Sequence, residues 1–369
     1  MQITRMSRHS LKFSTDKKKN LLEDLFSVYK IDLQYYIDLL WDGKLELSKN
    51  LSSKVLPINN IEHSRWRQNI YKQASEIVRS CRKRKKKSKP EIKEITINLD
   101  ERFFDIKEVN SNEFAQYIKI IFPFFKEGKR RTIQAKYPIK QHKHSLKFSN
   151  WQRANTVQLK KTNNQFYLNF IYKKEIELKS KKKETSIAFD AGYKKMLVDH
   201  KGNAIGVEIN DLYKKISNKQ QGSKSFEKAL RERNSRINEE LNKFDLSQIS
   251  HVVIERLKSV HKNKRKDKKR TRKQMNKQQR WVYSYISNKL ERLCEENGVC
   301  LTKVNPAYTS QTCSFCGNID KSSRKGEIYH CKKCKIKMDA DHNAAINIFH
   351  RGVYGPSEQE KSKICINFV

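Results

Sequence analysis

The sequence lacks the features of a membrane or secreted protein. Its 369 residues contain no apolar run near the ~20 residues that cross a bilayer, and no signal-peptide-like apolar segment follows the N-terminus. Four cysteines, Cys81, Cys294, Cys300 and Cys365, have no disulfide-like spacing, so we expect reduced thiols. No internal repeat of solenoid period is present. These absences predict a soluble cytoplasmic protein.

Negative charge is also scarce. The chain has 40 Asp and Glu against 80 Lys and Arg, a net charge of +40. Phosphate backbones neutralise such a surplus and release their own counterions, so we expect a nucleic-acid partner. The basic residues concentrate at 79–89, 179–183 and 258–280, between segments that carry aromatic residues, as in channels that follow a nucleic-acid backbone. A lysine-rich genome or solvated loops are the alternatives.

The first half of the chain reads as a β module with inserted helices. Apolar residues recur at helical spacing over 17–47 and 61–81. Alternating apolar residues predict a strand over 94–106 and a hairpin over 156–178, with its turn at 162–164.

The second half reads as an α/β domain. A composition shift at 177–183 marks its start, and a turn is expected at 201–203. Helical stretches at 220–243 and 279–297 bracket the apolar strand 249–255.

Three carboxylates occupy places where they can meet. Asp190 and Glu255 each end an apolar strand, and Asp341 opens a helix-like run. If the strands are neighbours, the acids converge, and their repulsion calls for divalent cations such as Mg²⁺, two of which can hydrolyse a phosphodiester. Alternatively, Asp190 is a turn or cap residue, Glu255 pairs at the surface with Arg256, and Asp341 is only a helix N-terminal acid like Asp339.

Four further cysteines form two C-x-x-C pairs, which fourteen residues separate. Thiolates at this spacing are the preferred ligands of a closed structural zinc site, which has no open position for chemistry. Unpaired thiols are the alternative reading. The expected zinc ligands are Cys313, Cys316, Cys331 and Cys334.

Several of these motifs together resemble the TnpB proteins of bacterial insertion sequences, which are relatives of compact type V CRISPR effectors. The resemblance covers roughly 184–350, whereas the N-terminal half agrees only in length, charge and coarse pattern. Its motifs are Phe-Asp-Ala-Gly-Tyr at 189–193, Val-Ile-Glu-Arg-Leu at 253–257, the block from Val304 to Gly317 with its Tyr, Ser-Gln and Cys residues, and Asp-His-Asn-Ala-Ala-Ile-Asn-Ile at 341–348.

The resemblance implies a multidomain fold of the α/β and α+β classes. Its parts are a wedge β-barrel module at 1–15 and 94–183, an inserted helical recognition lobe at 16–93, an RNase H-like RuvC nuclease domain at 184–312 and 335–355, a four-cysteine zinc ribbon inserted at 313–334, and a C-terminal tail at 356–369.

The function that the resemblance implies is RNA-guided cleavage of double-stranded DNA beside a short motif, for a transposable element. Asp190, Glu255 and Asp341 would be the catalytic acids and would bind two Mg²⁺ ions, and one Zn²⁺ would be structural. Asp341 is preferred over Asp339 because the family acid precedes an x-Asn-Ala-Ala pattern. A guide RNA from the element end would be the RNA partner.

Three alternatives stay open at this point. They are a compact type V CRISPR effector, an RNA-guided repressor with little cleavage, and a transposase that binds DNA without RNA. The chain departs from common family residues at Ala191, Tyr193, Lys335 and Ala340, although no departure removes a carboxylate. The basic stretch 258–280 follows the second acid, where the family places a mobile lid.

Overall fold

A computed structural model describes residues 1–48, 51–84, 88–109, 113–123, 133–207, 209–257 and 282–356. The expected lid at 258–280, Cys365 and nearly all of the expected tail lie outside the described residues. The chain divides into two compact units, an N-terminal unit of Gln2–Lys174 and a C-terminal unit of Glu175–Val369, to which Met1 also belongs. The division falls next to the composition shift at 177–183.

The N-terminal unit combines helices with two antiparallel sheets, whose strand orders are β1-β7-β6-β2 and β3-β4-β5. Its elements are β1 (Gln2–Ser10), α1 (Asp16–Trp41), α2 (Ser64–Lys83), β2 (Thr96–Asp100), β3 (Phe104–Glu108), β4 (Gln116–Phe122), β5 (Ile133–Ile139), α3 (Lys143–Leu146), β6 (Gln152–Thr162) and β7 (Gln165–Glu175).

The first helical stretch forms the single helix α1, because its apolar residues keep one unbroken face toward the core. The hairpin prediction is also confirmed. Thr162 pairs with Gln165, and the two residues between them, Asn163 and Asn164, have φ of 49° and 56°. A two-residue type I′ turn needs left-handed backbone at both positions, and asparagine tolerates it better than most residues.

The predicted strand over 94–106 is wrong as a single element. It is divided into β2 and β3 by a turn at 101–103, where the side chain of Phe103 is buried in the core. The two strands join different sheets, and alternation alone does not reveal a change of sheet.

The C-terminal unit contains a five-stranded sheet of order β10-β9-β8-β11-β12 and a three-stranded sheet of order β13-β14-β15. Its elements are β8 (Ser186–Asp190), β9 (Leu197–Asp199), β10 (Ala204–Ile205), α4 (Ile209–Ser217), α5 (Lys224–Asn242), β11 (His251–Glu255), α6 (Tyr283–Glu296), β12 (Cys300–Val304), β13 (Arg324–Lys325), β14 (Ile328–His330), β15 (Lys337–Asp339) and α7 (Ala340–Val353).

Both faces of the five-stranded sheet are covered by helices. Ala188 and Val253 pack with Ile348 of α7 on one face. On the other face, Val252 and its neighbours pack with side chains of α5 and α6. Strands buried on both faces read as continuous apolar runs, which is why the three residues between the polar first residue and the acidic last residue of β8 and of β11 are all apolar. The fold is mixed α/β, as expected.

In the part of the chain that the structure describes, every helix is too short or too polar to cross a bilayer.

Candidate functional site

Asp190 and Glu255 lie beside each other at the carboxyl ends of two neighbouring interior strands of the five-stranded sheet. β8 and β11 are parallel neighbours, with Phe189 opposite Ile254. The next residue of each strand is therefore an acid at the same level. Carboxyl ends of adjacent parallel strands are a recurrent place for functional side chains. The tertiary pairing brings together two acids that are 65 positions apart in the sequence.

The third acid, Asp341, approaches the same place from α7. Burial raises the pKa of Asp190 well above its usual range, and the negative charges of Glu255 and Asp341 raise it further. Glu255 and Asp341 therefore lie near enough for their charges to act on Asp190. The described acids do not reach the closeness of the cysteine site below, where all four ligand atoms lie within 4.8 Å of one another.

Glu255 has a buried side chain, only 8% exposed. Burial raises the pKa of its carboxyl, although a hydrogen bond from Thr309 and the charges of Arg351 and Arg324 oppose the rise. The alternative of a surface pair between Glu255 and the exposed Arg256 is therefore wrong.

Asp339 and Asp341 have different tasks. Asp339 caps α7, because its Oδ1 accepts hydrogen bonds from the backbone N–H groups of Asp341 and His342, both at 3.0 Å. Its other oxygen lies 2.5 Å from Lys195 Nζ. Burial alone would raise the pKa of Asp339, yet these donors lower it. Asp339 is the last residue of β15 and the N-cap of α7. The charge of Asp341, in contrast, acts on Asp190.

The turn after β8 passes close to Asp341. A Cβ added at Gly192 would lie 3.6 Å from Asp341 Oδ2 and only 2.8 Å from the carbonyl oxygen of Lys195. Only glycine fits such a close backbone approach without a shift. The Asp-Ala-Gly order at 190–192 therefore serves the packing beside the acids.

Arg324 of β13 also belongs to the site. Its Nη2 donates to Asp341 Oδ1 at 2.8 Å, and its positive charge opposes the rise in pKa of Asp190 and Glu255. Its role was not predicted from the sequence, because one arginine among 80 basic residues carries no local signal. Through Arg324, the sheet β13-β14-β15 contacts the carboxylate of Asp341.

Glu255 is held in place by two hydroxyl groups. Thr309 donates to Glu255 Oε1 and also contacts the carbonyl oxygen of Pro306 at 3.0 Å. Tyr283, the first residue of α6, donates to the main-chain oxygen of Glu255. Thr309 lies in the Tyr and Ser-Gln block, but the sequence pattern gave it no role.

One face of α7 fixes the segment that carries Thr309. Asn343 donates to the carbonyl oxygen of Thr312 at 2.8 Å and accepts from the N–H of Ser314 at 3.0 Å. Asn347 donates to the carbonyl oxygens of Thr309 and Thr312 at 2.9 and 2.7 Å. Since four residues make about one helical turn, Asn343 and Asn347 share the face that contacts this segment. The Asn-x-x-x-Asn spacing at 343–347 thus has a structural explanation.

The carboxylates suit a hard divalent cation. Oxygen ligands that repel one another when ionised favour Mg²⁺, which accepts a few carboxylates and keeps its remaining waters. Burial raises the pKa of Asp190 and the charges of Glu255 and Asp341 raise it further, as expected where acids share a buried place.

The four cysteines of the two C-x-x-C pairs converge, with all four sulfur atoms within 4.8 Å of one another. Cys313 and Cys334 Sγ lie 3.6 Å apart, and Cys316 and Cys331 Sγ lie 3.7 Å apart. Tetrahedral Zn–S bonds of about 2.3 Å place sulfur atoms about 3.8 Å apart. These sulfur distances therefore fit zinc and are far too long for a disulfide of about 2.05 Å.

Backbone amides complete the cysteine site. The N–H groups of Phe315 and Cys316 point to the Cys313 sulfur, and those of Lys333 and Cys334 point to the Cys331 sulfur. Amide donors of this kind stabilise thiolate ligands. Among the described residues, this is the one group of three or more metal-ligating side chains whose ligand atoms all lie this close.

Comparisons with known proteins agree with the sequence motifs. Residues 283–348 match the family model "Cas12f1-like, TNB domain". The chain is 45% identical over 71 residues to the CRISPR-associated endodeoxyribonuclease Cas12f1 of Sulfoacidibacillus thermotolerans. The aligned segment covers 19% of this chain and 17% of that protein. It is 43% identical over 65 residues to the TnpB-like protein MJ0012 of Methanocaldococcus jannaschii, over 18% of this chain and 30% of that protein.

The aligned segments span less than a third of the length of these relatives. Within that segment, the expected relationship to TnpB proteins and to compact type V effectors is confirmed.

Solved structures extend the likeness of fold to most of the chain. The structure of a Cas12f1–sgRNA–target DNA complex matches 90% of this chain and 82% of its own chain, with a TM-score of 0.57 and 18% identity. The mini-RNA-guided endonuclease CRISPR-Cas_phi3 matches 96% of this chain and 93% of its own, with a TM-score of 0.51 and 11% identity. At these identities the likeness concerns the fold alone.

Proposed function

We propose that this protein is an RNA-guided DNA endonuclease that hydrolyses phosphodiester bonds at the Asp190, Glu255 and Asp341 centre. The observation that carries the proposal is the convergence of these acids, from β8, β11 and α7, at one sheet edge, where they raise the pKa of Asp190. The similarity of residues 283–348 to the Cas12f1 family supports the same chemistry.

The residues of the centre have distinct roles in this proposal. Asp190, Glu255 and Asp341 would hold Mg²⁺, which when bound supplies an activated water and stabilises the leaving 3′ oxygen. Thr309 orients the Glu255 carboxylate. Arg324, which donates to Asp341, brings a positive charge that opposes the rise in pKa of Asp190 and Glu255 and attracts the phosphate of the substrate.

The domain assignment is part of the proposal. The mixed five-stranded sheet with its acids at the carboxyl edge supports an RNase H-like RuvC domain at 184–312 and 335–355. The two sheets of the N-terminal unit support a wedge module at 1–15 and 94–183 around a helical recognition lobe at 16–93. The cysteine geometry supports a structural zinc ribbon at 313–334.

The proposed partners are a guide RNA, whose pairing would select the target, and double-stranded DNA with a short motif that the protein reads. The net charge of +40 suits both polyanions. We assign the guide to the end of a transposable element. A compact type V CRISPR effector is the second candidate, and the similarity to Cas12f1 favours it. Transposon ends or a CRISPR array in the flanking DNA distinguish the two.

The test is expression of the protein together with its flanking genomic DNA. The copurifying RNA is sequenced, and the particle is incubated with Mg²⁺ and a plasmid library of targets. We expect one discrete structured RNA and cuts beside a short common motif. Tight binding without cuts would instead indicate a repressor, and a particle without RNA would exclude RNA guidance.

A matched pair of variants assigns the cut to the proposed centre. Asp190→Ala should abolish Mg²⁺-dependent cleavage and retain guided DNA binding, because it removes a metal ligand and little binding surface. Asp211→Ala is the control, since Asp211 is an exposed acid of the same unit that pairs only with Lys214 among the described ion pairs. Cleavage by Asp190→Ala at the wild-type rate would exclude the assignment.

A further inference from the structure

The sheet β3-β4-β5 of the N-terminal unit has one apolar face and one polar face. Alternate residues such as Ile106, Ile118 and Tyr137 belong to the core, so the intervening residues point away from it. The outward residues line a recess of about 530 Å³, the size of a small-molecule or nucleotide site. They are Asp105, Lys107, Val109, Tyr117, Lys119, Gln134 and Lys136.

Aromatic rings form a row that leads from this recess. The ring centroids of Tyr117 and Phe114 lie 6.1 Å apart at an interplanar angle of 60°, and those of Phe114 and Phe13 lie 5.4 Å apart at 69°, so neighbouring rings meet edge to face. Phe13 is 43% exposed, although burial of such a side chain is worth about 2 kcal/mol. The row therefore ends in an aromatic side chain that the unit itself does not bury.

Lysines accompany the row. Lys107 lies opposite Tyr117 on the neighbouring strand, and Lys119 lies opposite Lys136. At the other end, the ammonium groups of Lys12 and Lys140 lie 4.9 and 5.9 Å from the centroid of Phe13. The one acid of the recess, Asp105, is 3.7 Å from Lys119, so the recess keeps a positive excess.

Rings flanked by cations suit the chemistry of a nucleotide. A nucleobase stacks on an aromatic face, and its phosphate meets an ammonium group a few Å away. Bases inside a duplex already stack on each other and do not offer their faces. The chemistry of the row therefore favours unpaired nucleotides over a double helix.

We infer that Tyr117, Phe114 and Phe13, with Lys107 and Lys136, form a binding site for unpaired nucleotides. We call this surface the stacking row. It lies in the N-terminal unit, outside the carboxylate centre, and goes beyond the proposed nuclease function. Its ligand is the chemistry common to single-stranded RNA and single-stranded DNA: bases on a phosphate backbone.

The experiment measures fluorescence anisotropy of labelled oligonucleotides with the full chain, without Mg²⁺, at about 150 mM salt. Probes of about 12 nucleotides are oligo-dT, oligo-U and an abasic strand that has phosphates but no bases. Wild-type protein should bind base-containing strands more tightly than the abasic strand. Tyr117→Leu and Phe13→Leu should each weaken base-containing strands about fivefold or more and leave the abasic strand unchanged.

Controls separate stacking from other effects. Tyr117→Phe keeps the ring and should bind as wild type, and Leu146→Ala removes a comparably exposed apolar side chain of the same unit and should have no effect. A preference for oligo-U over oligo-dT would identify RNA as the source of the unpaired strand, and the reverse preference would identify DNA.

Location is tested by photocrosslinking 4-thiouridine and 4-thiothymidine strands to wild-type protein. Crosslinks should map to peptides that contain Phe13 or Tyr117. Equal wild-type affinity for base-containing and abasic strands, or crosslinks confined to other regions, would overturn the inference. Because no probe needs a guide or a cut, failure of the nuclease proposal leaves these results interpretable.

Discussion

Asp190 and Glu255 are buried acids, and burial disfavours their charged forms. Both are held where burial raises their pKa, and Asp190 also faces the charges of its neighbours. Such groups are common at functional sites, because ionised acids in a low-dielectric place bind cations strongly. At the scale of single residues, the raised pKa values predict an effect on protein stability, so the site can be tested without a nuclease assay.

Asp190→Asn should stabilise the protein when Mg²⁺ is absent. A carboxyl whose pKa is raised by folding contributes stability in its neutral form at low pH, and this contribution is lost as pH rises through the folded pKa. At neutral pH the wild type therefore carries the cost of a buried acid and of its repulsion by Glu255 and Asp341. Asparagine removes this cost and keeps the shape of the side chain. The expected rise in Tm is about 2–4 °C per kcal/mol of repulsion removed.

The measurement is thermal melting at several pH values. The gain should shrink as pH falls toward about 4, the ordinary range of aspartate, and added Mg²⁺ should stabilise the wild type but not the variant. Omitting Mg²⁺ is preferable to chelation, which would also extract zinc. A variant that melts below the wild type at neutral pH would contradict the repulsion.

Thr309→Val should weaken metal use without removing a ligand. The variant loses the hydroxyl donor to Glu255, and since that hydrogen bond lowers the pKa of Glu255, the pKa should rise. We expect half-maximal cleavage to require about 10–100-fold more Mg²⁺. We also expect the acid limb of the pH profile to shift to higher pH. Thr309→Ser should restore both, and an unchanged pH profile would show that Thr309 only fills space.

At the scale of elements, the two knuckles of the cysteine site are built alike. The N–H of Gly317 donates to the carbonyl oxygen of Cys313, and the N–H of Lys335 donates to that of Cys331, at 2.9 and 3.0 Å. Both residues are left-handed, with φ of 71° and 62°. Lys335 therefore occupies a position where a side chain is strained.

Lys335→Gly should stabilise the second knuckle by about 1 kcal/mol, because glycine adopts left-handed backbone without a Cβ penalty. The checks are thermal melting and the rate of zinc release to a chelator, with zinc content held at one ion per chain. Gly317→Ala is the converse variant and should release zinc faster. Faster release from Lys335→Gly would mean that the lysine side chain itself supports the site.

At the scale of the whole molecule, the net charge of +40 has two explanations, a polyanionic partner or a biased genome. Counterion release separates them, since each neutralised phosphate contributes about −0.9 to the slope of log affinity against log salt for duplex DNA.

We expect the affinity for a short non-specific duplex to fall by about 10³-fold or more between 50 and 200 mM salt, the behaviour of about six or more phosphate contacts. Anisotropy titrations at several salt concentrations measure the slope. A slope near zero would favour compositional bias as the origin of the charge.

Local patterns were sufficient for much of this protein. Apolar periodicity and Asn163-Asn164 indicated the helices and the hairpin, because helical faces and tight turns depend on neighbours in sequence. The C-x-x-C spacing identified the cysteines, whose sulfur atoms converge. The prediction of a single strand over 94–106 was wrong, because the break depends on which sheet each half joins.

Only the tertiary structure placed the groups that surround the acids. Thr309 and Glu255 are 54 residues apart, and Arg324 and Asp341 are 17 apart, so no local pattern links them. The sequence by itself determined which residues carry reactive groups and which elements hold them, because these follow from residue type and period. The packing of β8, β11, β13 and α7 decided which groups meet, and therefore the direction in which the pKa values of Asp190 and Glu255 move, because pKa values depend on contacts across the fold.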